Sequence, residues 1–194
     1  MVETRKIEKM KAVKSLILVA AAIIGCLASS GVSVAAPLGN SEQQNVTEKV
    51  HKELVKLPYY GVFDNLAYKV ESCTVTLYGQ VVRHSTRKDA EERVARIAGV
   101  RRVVNQIEVL PLSSFDDSIR TRTYRVVFRA GGLYRYAMGA NPSIHIVVNR
   151  GHITLEGVVS NDGDRQLAYA AARSVPGVFS VTNNLRSEST NRAY

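Results

Sequence analysis

Apolar and polar residues alternate most cleanly over residues 144–159. Ile144, Ile146 and Val148 interleave with His145, Val147 and Asn149, the period of two that marks a half-buried strand. Asn149-Arg150-Gly151 reads as a turn, and Ile153, Leu155, Gly157 and Val159 resume the alternation, so 144–149 and 152–159 are expected to form a hairpin. Leu66, Tyr68 and Val70, followed by Val75, Leu77, Gly79 and Val81, predict a second hairpin from 66–70 and 75–82. Beyond each hairpin the period lengthens to that of a helix: Ala90, Val94 and Ile97 in one case, Ala168, Ala172 and Val175 in the other. Thr86 and Asp164 stand where a helix N-cap accepts a hydrogen bond from a free main-chain N–H. Gly99 and Gly177 fall just past the helices, where a left-handed φ costs little only for glycine. A last strand follows, carried by Val100 and Val103 or by Val178 and Val181. Each hairpin also has a helix before it. Val46, Val50, Leu54 and Leu57 form an apolar stripe that Pro58 ends, and Phe115, Ile119, Thr123 and Val126 form a less clean one. Thr121, Thr123, Val126 and Val127 favour strand locally, but the first stripe argues for helix here too.

These two series are one pattern written twice. A shift of 78 positions aligns residues 65–109 with 143–187 without a gap. Identities include Val70/Val148, Thr76/Thr154, Leu77/Leu155, Gly79/Gly157, Val81/Val159, Gly99/Gly177, Val103/Val181 and Asn105/Asn183. The matches fall on glycines and apolar positions, those a fold constrains. The predicted fold is α+β: two tandem α-β-β-α-β domains, each a three-stranded sheet with helices on one face. The expected division is a signal peptide over 1–35, a flexible segment over 36–43, a first domain over 44–110, a linker over 111–114, a second domain over 115–188 and a tail over 189–194.

The N-terminus adds an address. A basic stretch through Lys14 precedes the apolar run Leu16 to Ile24, which suits a signal-peptide core and is short for a spanning helix of about 20 residues. Ser33-Val34-Ala35 places small residues for cleavage before Ala36; the alternative is an uncleaved anchor extended through Leu27. Ile23-Ile24-Gly25-Cys26 also resembles a lipobox, in which Cys26 would be lipidated, so the expected location is the periplasm or an envelope membrane. By either route Cys73 is left alone, which excludes a disulfide scaffold. The net charge is +9, of which residues 1–35 hold five basic and two acidic side chains, leaving +6 for the remainder. That is a mild bias toward anionic partners, and export argues for lipid headgroups over nucleic acid.

Arg150-Gly-His-Ile-Thr-Leu-Glu-Gly-Val-Val159 and Val175-Pro-Gly-Val-Phe-Ser-Val-Thr-Asn-Asn184 resemble the BON domain, a module of periplasmic osmotic-stress, nodulation and secretin-associated proteins. The first copy keeps Thr76-Leu77-x-Gly79 and Gly99-Val-Arg-Arg-Val103, but has Cys73 where the family usually has glycine. The resemblance implies a non-enzymatic module that binds phospholipid membranes or envelope partners. Gly79, Gly99, Gly157 and Gly177 match as fold residues and transfer no binding site.

The sequence carries no catalytic constellation. His145 and His152 share a hairpin without a third ligand nearby, and read as two solvent-side strand histidines. Asp162-Gly163-Asp164 lacks the length of a calcium loop and fits helix capping instead, and Cys73 reads as a small buried thiol. No cofactor and no metal are expected, and the chain reads as no enzyme. The segment with binding chemistry is 119–138, where Arg120, Arg122, Arg125, Arg129 and Arg135 interleave with aromatics including Tyr134 and Tyr136. Guanidinium groups can pair with phosphates while amphipathic rings rest at headgroup level. Gly131-Gly132 would let the second half fold away and present its rings; the structural alternative is that Leu133 and Tyr136 cover the sheet and the arginines form a solvated face. The expected partner is anionic phospholipid, with an envelope protein as the alternative, an assembly module of the periplasm.

Overall fold

The structure is a computed structural model that describes residues 40–139 and 141–188. The apolar run Leu16 to Ile24, Cys26, the cleavage site at Ala35 and the tail over 189–194 lie outside the described residues. Among the described residues no helix is long and apolar enough to cross a membrane.

The first copy runs α1 (Asn40–Val55), β1 (Asn65–Glu71), β2 (Thr74–Val81), α2 (His84–Ala95), β3 (Arg102–Asn105) and β4 (Glu108–Val109). The second runs α3 (Ser114–Arg129), a 3-10 turn (Leu133–Ala137), β5 (Ile144–Asn149), β6 (His152–Val159), α4 (Asp162–Arg173), β7 (Ser180–Asn183) and β8 (Arg186–Ser187). In each sheet the hairpin is antiparallel, with Leu66 opposite Gly79 and Ile144 opposite Gly157. The last strand returns beside the hairpin's second strand in parallel, after the crossover helix. Val75, Leu77 and Val81 form one core with Val50 and Leu54 of α1 and Ala90 and Val94 of α2. One face of the sheet therefore carries both helices. Ile153, Leu155 and Val159 do the same with Ile119 and Val127 of α3 and Ala168 and Ala172 of α4.

The repeat identities have physical causes. At Gly79 (φ 114°) and Gly157 (φ 120°) a Cβ would lie 2.0 Å from the Asn65 or Ser143 carbonyl oxygen, so the backbones approach too closely for any side chain. Asn105 donates to the Arg87 carbonyl and accepts from the Ile107 amide, and Asn183 does the same to Arg165 and Leu185. Each asparagine ties the crossover helix to the point where the last strand breaks. That break splits the predicted third strand into two short pieces, β3 with β4 and β7 with β8, which pair successive stretches of β2 and β6.

Four expectations need correction. Thr86 is not an N-cap: α2 begins at His84 behind Arg83, and Thr86 is buried within the first turn. Asp164 is the third residue of α4, and Asn161 is the cap, its side chain accepting from the Asp164 amide at 2.9 Å. Helix α1 starts at Asn40, inside the segment expected to be flexible, with Glu42 favouring the first turn and Gln43 donating to the Val70 carbonyl. The inward face of α3 is Asp116, Ile119, Arg120, Thr123, Val127 and Phe128, which leaves Phe115 and Val126 exposed.

The copies touch. Val62 and Phe63, in the loop before β1, pack against the second core, and the Ile146 amide on the outer strand β5 donates to the Val62 carbonyl at 2.7 Å.

Candidate functional site

Helix α3 is capped by Ser113, whose side chain accepts from the Asp116 amide, and carries Asp116 and Asp117 in its first turn, where the helix dipole favours them. Along its outer face Phe115, Ser118, Arg122, Arg125 and Arg129 follow one another at helical spacing, and all are exposed. Arg122 donates to the Pro176 carbonyl at 3.2 Å. Arg125 and Arg129 have neither hydrogen bond nor ion pair among the described residues.

Arg120 does not belong to this face. It is 3% exposed, donating to Asp117 at 2.5 Å and to the Val148 carbonyl at 2.8 Å. Tyr136 is buried as well. Its hydroxyl donates to Asp164 at 2.6 Å and accepts from the Ser160 amide at 2.8 Å. Arg135 is half-exposed but committed: it pairs with Asp164, donates to the Gly132 carbonyl and lies over the Tyr136 ring. The Tyr136 hydroxyl, and after it Arg135, hold the Asp164 carboxyl below the usual carboxylate range, and Tyr136 and then Asp164 raise the Arg135 guanidinium. Gly131 and Gly132, both at positive φ, do turn the chain away from α3, but the turn delivers Leu133 and Tyr136 into the core and leaves Tyr134 outside. Of the seven residues expected to meet lipid, Arg122, Arg125, Arg129 and Tyr134 are exposed and free of internal ion pairs, while Arg120, Arg135 and Tyr136 serve the fold.

The tip of the β5–β6 hairpin holds what the sequence reading passed over. Both oxygens of the buried Asp116 accept main-chain bonds from the turn, from Arg150 at 2.9 Å and from Gly151 at 2.8 Å. Over this turn lie Phe179 and Phe115, ring centres 6.2 Å apart, with His152 5.7 Å from Phe179. The Phe179 amide donates to the Gly151 carbonyl at 2.9 Å. The helical stripe places Phe115 inward, and Phe179 stands two residues before Val181, on the same face of an alternating strand, so the pattern marks neither ring as exposed. The repeat contained the clue: the residue 78 positions before Phe179 is Arg101, which marks the position as solvent-facing.

A second polar group lies between the copies. His145 is not a solvent-side residue: it stacks on Tyr60 at 5.5 Å and its Nδ1 is 3.2 Å from the Gly61 carbonyl. Burial holds the His145 imidazole below its ordinary pKa and pushes the Tyr60 hydroxyl up to about 12. Asp64 accepts from the Val82 and Gly61 amides, and burial raises its carboxyl despite them. His152 contacts Ser180 instead, 2.7 Å away. Cys73 is a free, partly exposed thiol in the β1–β2 turn, where Ser72 adopts the left-handed φ. Among the described residues no group of three or more His, Cys, Asp or Glu is arranged to hold a metal ion.

A family model described as the BON domain matches residues 42–111 and again 116–188. A comparison with curated proteins finds no match. Among solved structures, the C-terminal domain of CdsD, the structural protein of the type III secretion system of Chlamydia trachomatis, is 9% identical, with a TM-score of 0.28 over 74% of this chain and 97% of that one. A second structure of CdsD is 10% identical, with a TM-score of 0.27 over 77% of this chain and 99% of that one.

Proposed function

The chain belongs to the BON domain family, and from that premise we propose that it is a non-enzymatic binding module of the cell envelope that docks on anionic phospholipid through the outer face of α3. The observation that carries this reading is a difference between the copies. Aligning the buried stripes Val46, Val50, Leu54 and Ile119, Thr123, Val127 sets Lys49, Lys52 and Lys56 against Arg122, Arg125 and Arg129. In the first copy Lys52 pairs with Glu48 and Lys56 with Glu53. In the second copy Thr121 and Val126 replace those glutamates, so the three arginines face solvent without a carboxylate. The fold accommodates basic residues at these positions twice, and among the described residues only in the first copy do carboxylates pair with any of them. Arginine suits phosphate groups through its planar, multidentate donors.

Each arginine near an anionic surface contributes roughly 1 kcal/mol, screened beyond about 8 Å at physiological salt. The test uses residues 35–194, the compact unit that holds both copies, in co-sedimentation with phosphatidylglycerol and phosphatidylcholine vesicles. Replacing Arg122, Arg125 and Arg129 together by Gln is expected to weaken binding to the anionic vesicles and flatten its salt dependence, with circular dichroism unchanged. A folded triple variant that binds like the parent would remove this face as the site. An intact protein that binds no anionic vesicle would transfer the function to protein assembly in the envelope.

A further inference from the structure

The rings of Phe115 and Phe179 are 46% and 70% exposed, and the fold does not ask for them. Aligning the buried stripes of the first helices sets Phe115 against Glu42, and the 78-residue shift sets Phe179 against Arg101; both are exposed, so the first copy holds charged residues where the second holds the two rings. Exposed apolar clusters that stability does not require mark contact surfaces. Here the cluster is rigidly mounted. A Cβ on Gly151 would lie 2.7 Å from the Phe179 ring and 3.3 Å from that of Phe115, so the rings lie directly on a turn whose amides are fixed by Asp116.

The charge around the cluster selects its occupant. Phe115, Arg122 and Arg129 recur every seven residues, so the rings terminate the basic stripe, which extends about 20 Å along α3 at ~1.5 Å per residue. Arg150, on the turn itself, is exposed, and its side chain has no partner among the described residues. Of the nearby carboxylates, Asp116 is buried against the turn and Asp117 is paired with Arg120. We infer that Phe115 and Phe179 form an insertion tip. On an anionic lipid surface the two rings enter the interfacial layer, while Arg150 and Arg122 meet phosphate oxygens beside them. A phenyl ring has no polar edge to hold in water, so each exposed Phe gains free energy by leaving water for the apolar side of that layer. This rests on the docking face proposed above and gives it a direction: the hairpin end leads.

Phe179→Arg separates insertion from charge attraction. It installs the residue that the first copy holds at this position, and it adds a positive charge. If binding is electrostatic alone, the variant binds phosphatidylglycerol vesicles as tightly as the parent or more tightly. Insertion requires a loss on the order of ten-fold, the effect of denying one aromatic ring an apolar environment, and the loss should persist at high salt. A second variant reads insertion directly. The chain has no tryptophan, so Phe179→Trp supplies a single reporter whose emission should shift to the blue, and become shielded from an aqueous quencher, on phosphatidylglycerol but not phosphatidylcholine vesicles. Tyr59→Trp, at an exposed ring of the first copy, should not shift. An unweakened Phe179→Arg, or an unmoved Phe179→Trp on vesicles that sediment the protein, overturns the insertion tip while leaving the docking face standing; the rings would then belong to a protein contact. A parent that fails to sediment overturns both.

Discussion

At the residue scale, Gly157 and Gly177 show two different demands on glycine. Gly177, just past α4 at φ 87°, has only the Phe115 ring nearby, and the 3.6 Å that a Cβ would keep from it is ordinary contact. Gly177→Ala is therefore expected to cost about 1 kcal/mol, from backbone conformation alone. At Gly157 a Cβ would meet a carbonyl oxygen of the neighbouring strand, so alanine must also displace the hairpin. Gly157→Ala should lower the melting temperature well beyond Gly177→Ala. Equal effects in thermal melts would show that the strands separate there at little cost. Both glycines were legible as repeat identities, yet the sequence could not rank them, because the carbonyl that distinguishes Gly157 belongs to Ser143, the residue before β5.

At the scale of elements, the hairpins were readable because each strand buries one face, so the alternation in sequence is the alternation in space. Helix α1 was readable for a similar reason, with an inward stripe that is wholly apolar. The inward face of α3 was not, because it includes Asp116, Arg120 and Thr123. Buried polar groups need partners, and the main-chain groups that Asp116 and Arg120 reach lie on β5 and its turn, about thirty residues away, where local periodicity carries no trace of them. The 3-10 turn presents the same case. Tyr134 and Tyr136 look alike in sequence, and only the position of Asp164 and the Ser160 amide decides that Tyr136 goes inside. That anchor has a pH signature. The Asp164 carboxyl is held below its unfolded value, so its contribution is complete above a pH of about 4 and is lost as pH falls through the lowered folded value. Tyr136→Phe removes the foremost cause of the lowering. It should reduce stability near neutrality by about 1–2 kcal/mol, and denaturant titrations should show it losing less than the parent between about pH 5 and pH 3. Parallel losses in the two proteins would dissociate Tyr136 from the Asp164 charge.

At the scale of the whole molecule, the repeat predicted two domains, but the contact between them had no counterpart within either copy to predict it. His145, Val147 and Asn149 share the β5 face opposite the second copy's core. There His145 meets Gly61 and Tyr60, Asn149 reaches Glu108, and Val147 is buried. Burial lowers the His145 pKa, so the neutral ring is favoured. Its contribution is present above the ordinary histidine value of about 6.5 and is lost as pH falls through the lowered folded value. Asp64, raised by burial, runs the other way, its contribution declining as pH rises through its folded value. His145→Asn keeps an N–H for the Gly61 carbonyl and cannot titrate. Between about pH 7 and pH 5 it should lose less stability than the parent, and an equal loss would place the titrating group elsewhere.

The bond from Ile146 to Val62 has a consequence for assembly. An outer strand with free amides is a template on which other molecules can add strands without limit. Here the first copy occupies part of that template with its own main chain, while Val62 and Phe63 cover the apolar surface beside it. It thereby acts as a chain terminator, held in place by covalent connection and always supplied in a one-to-one ratio. Residues 111–194 expressed alone should consequently grow into concentration-dependent oligomers on gel filtration where residues 35–194 do not. With that outcome, the duplication would supply more than a second copy of the fold: one copy would limit strand addition to the other.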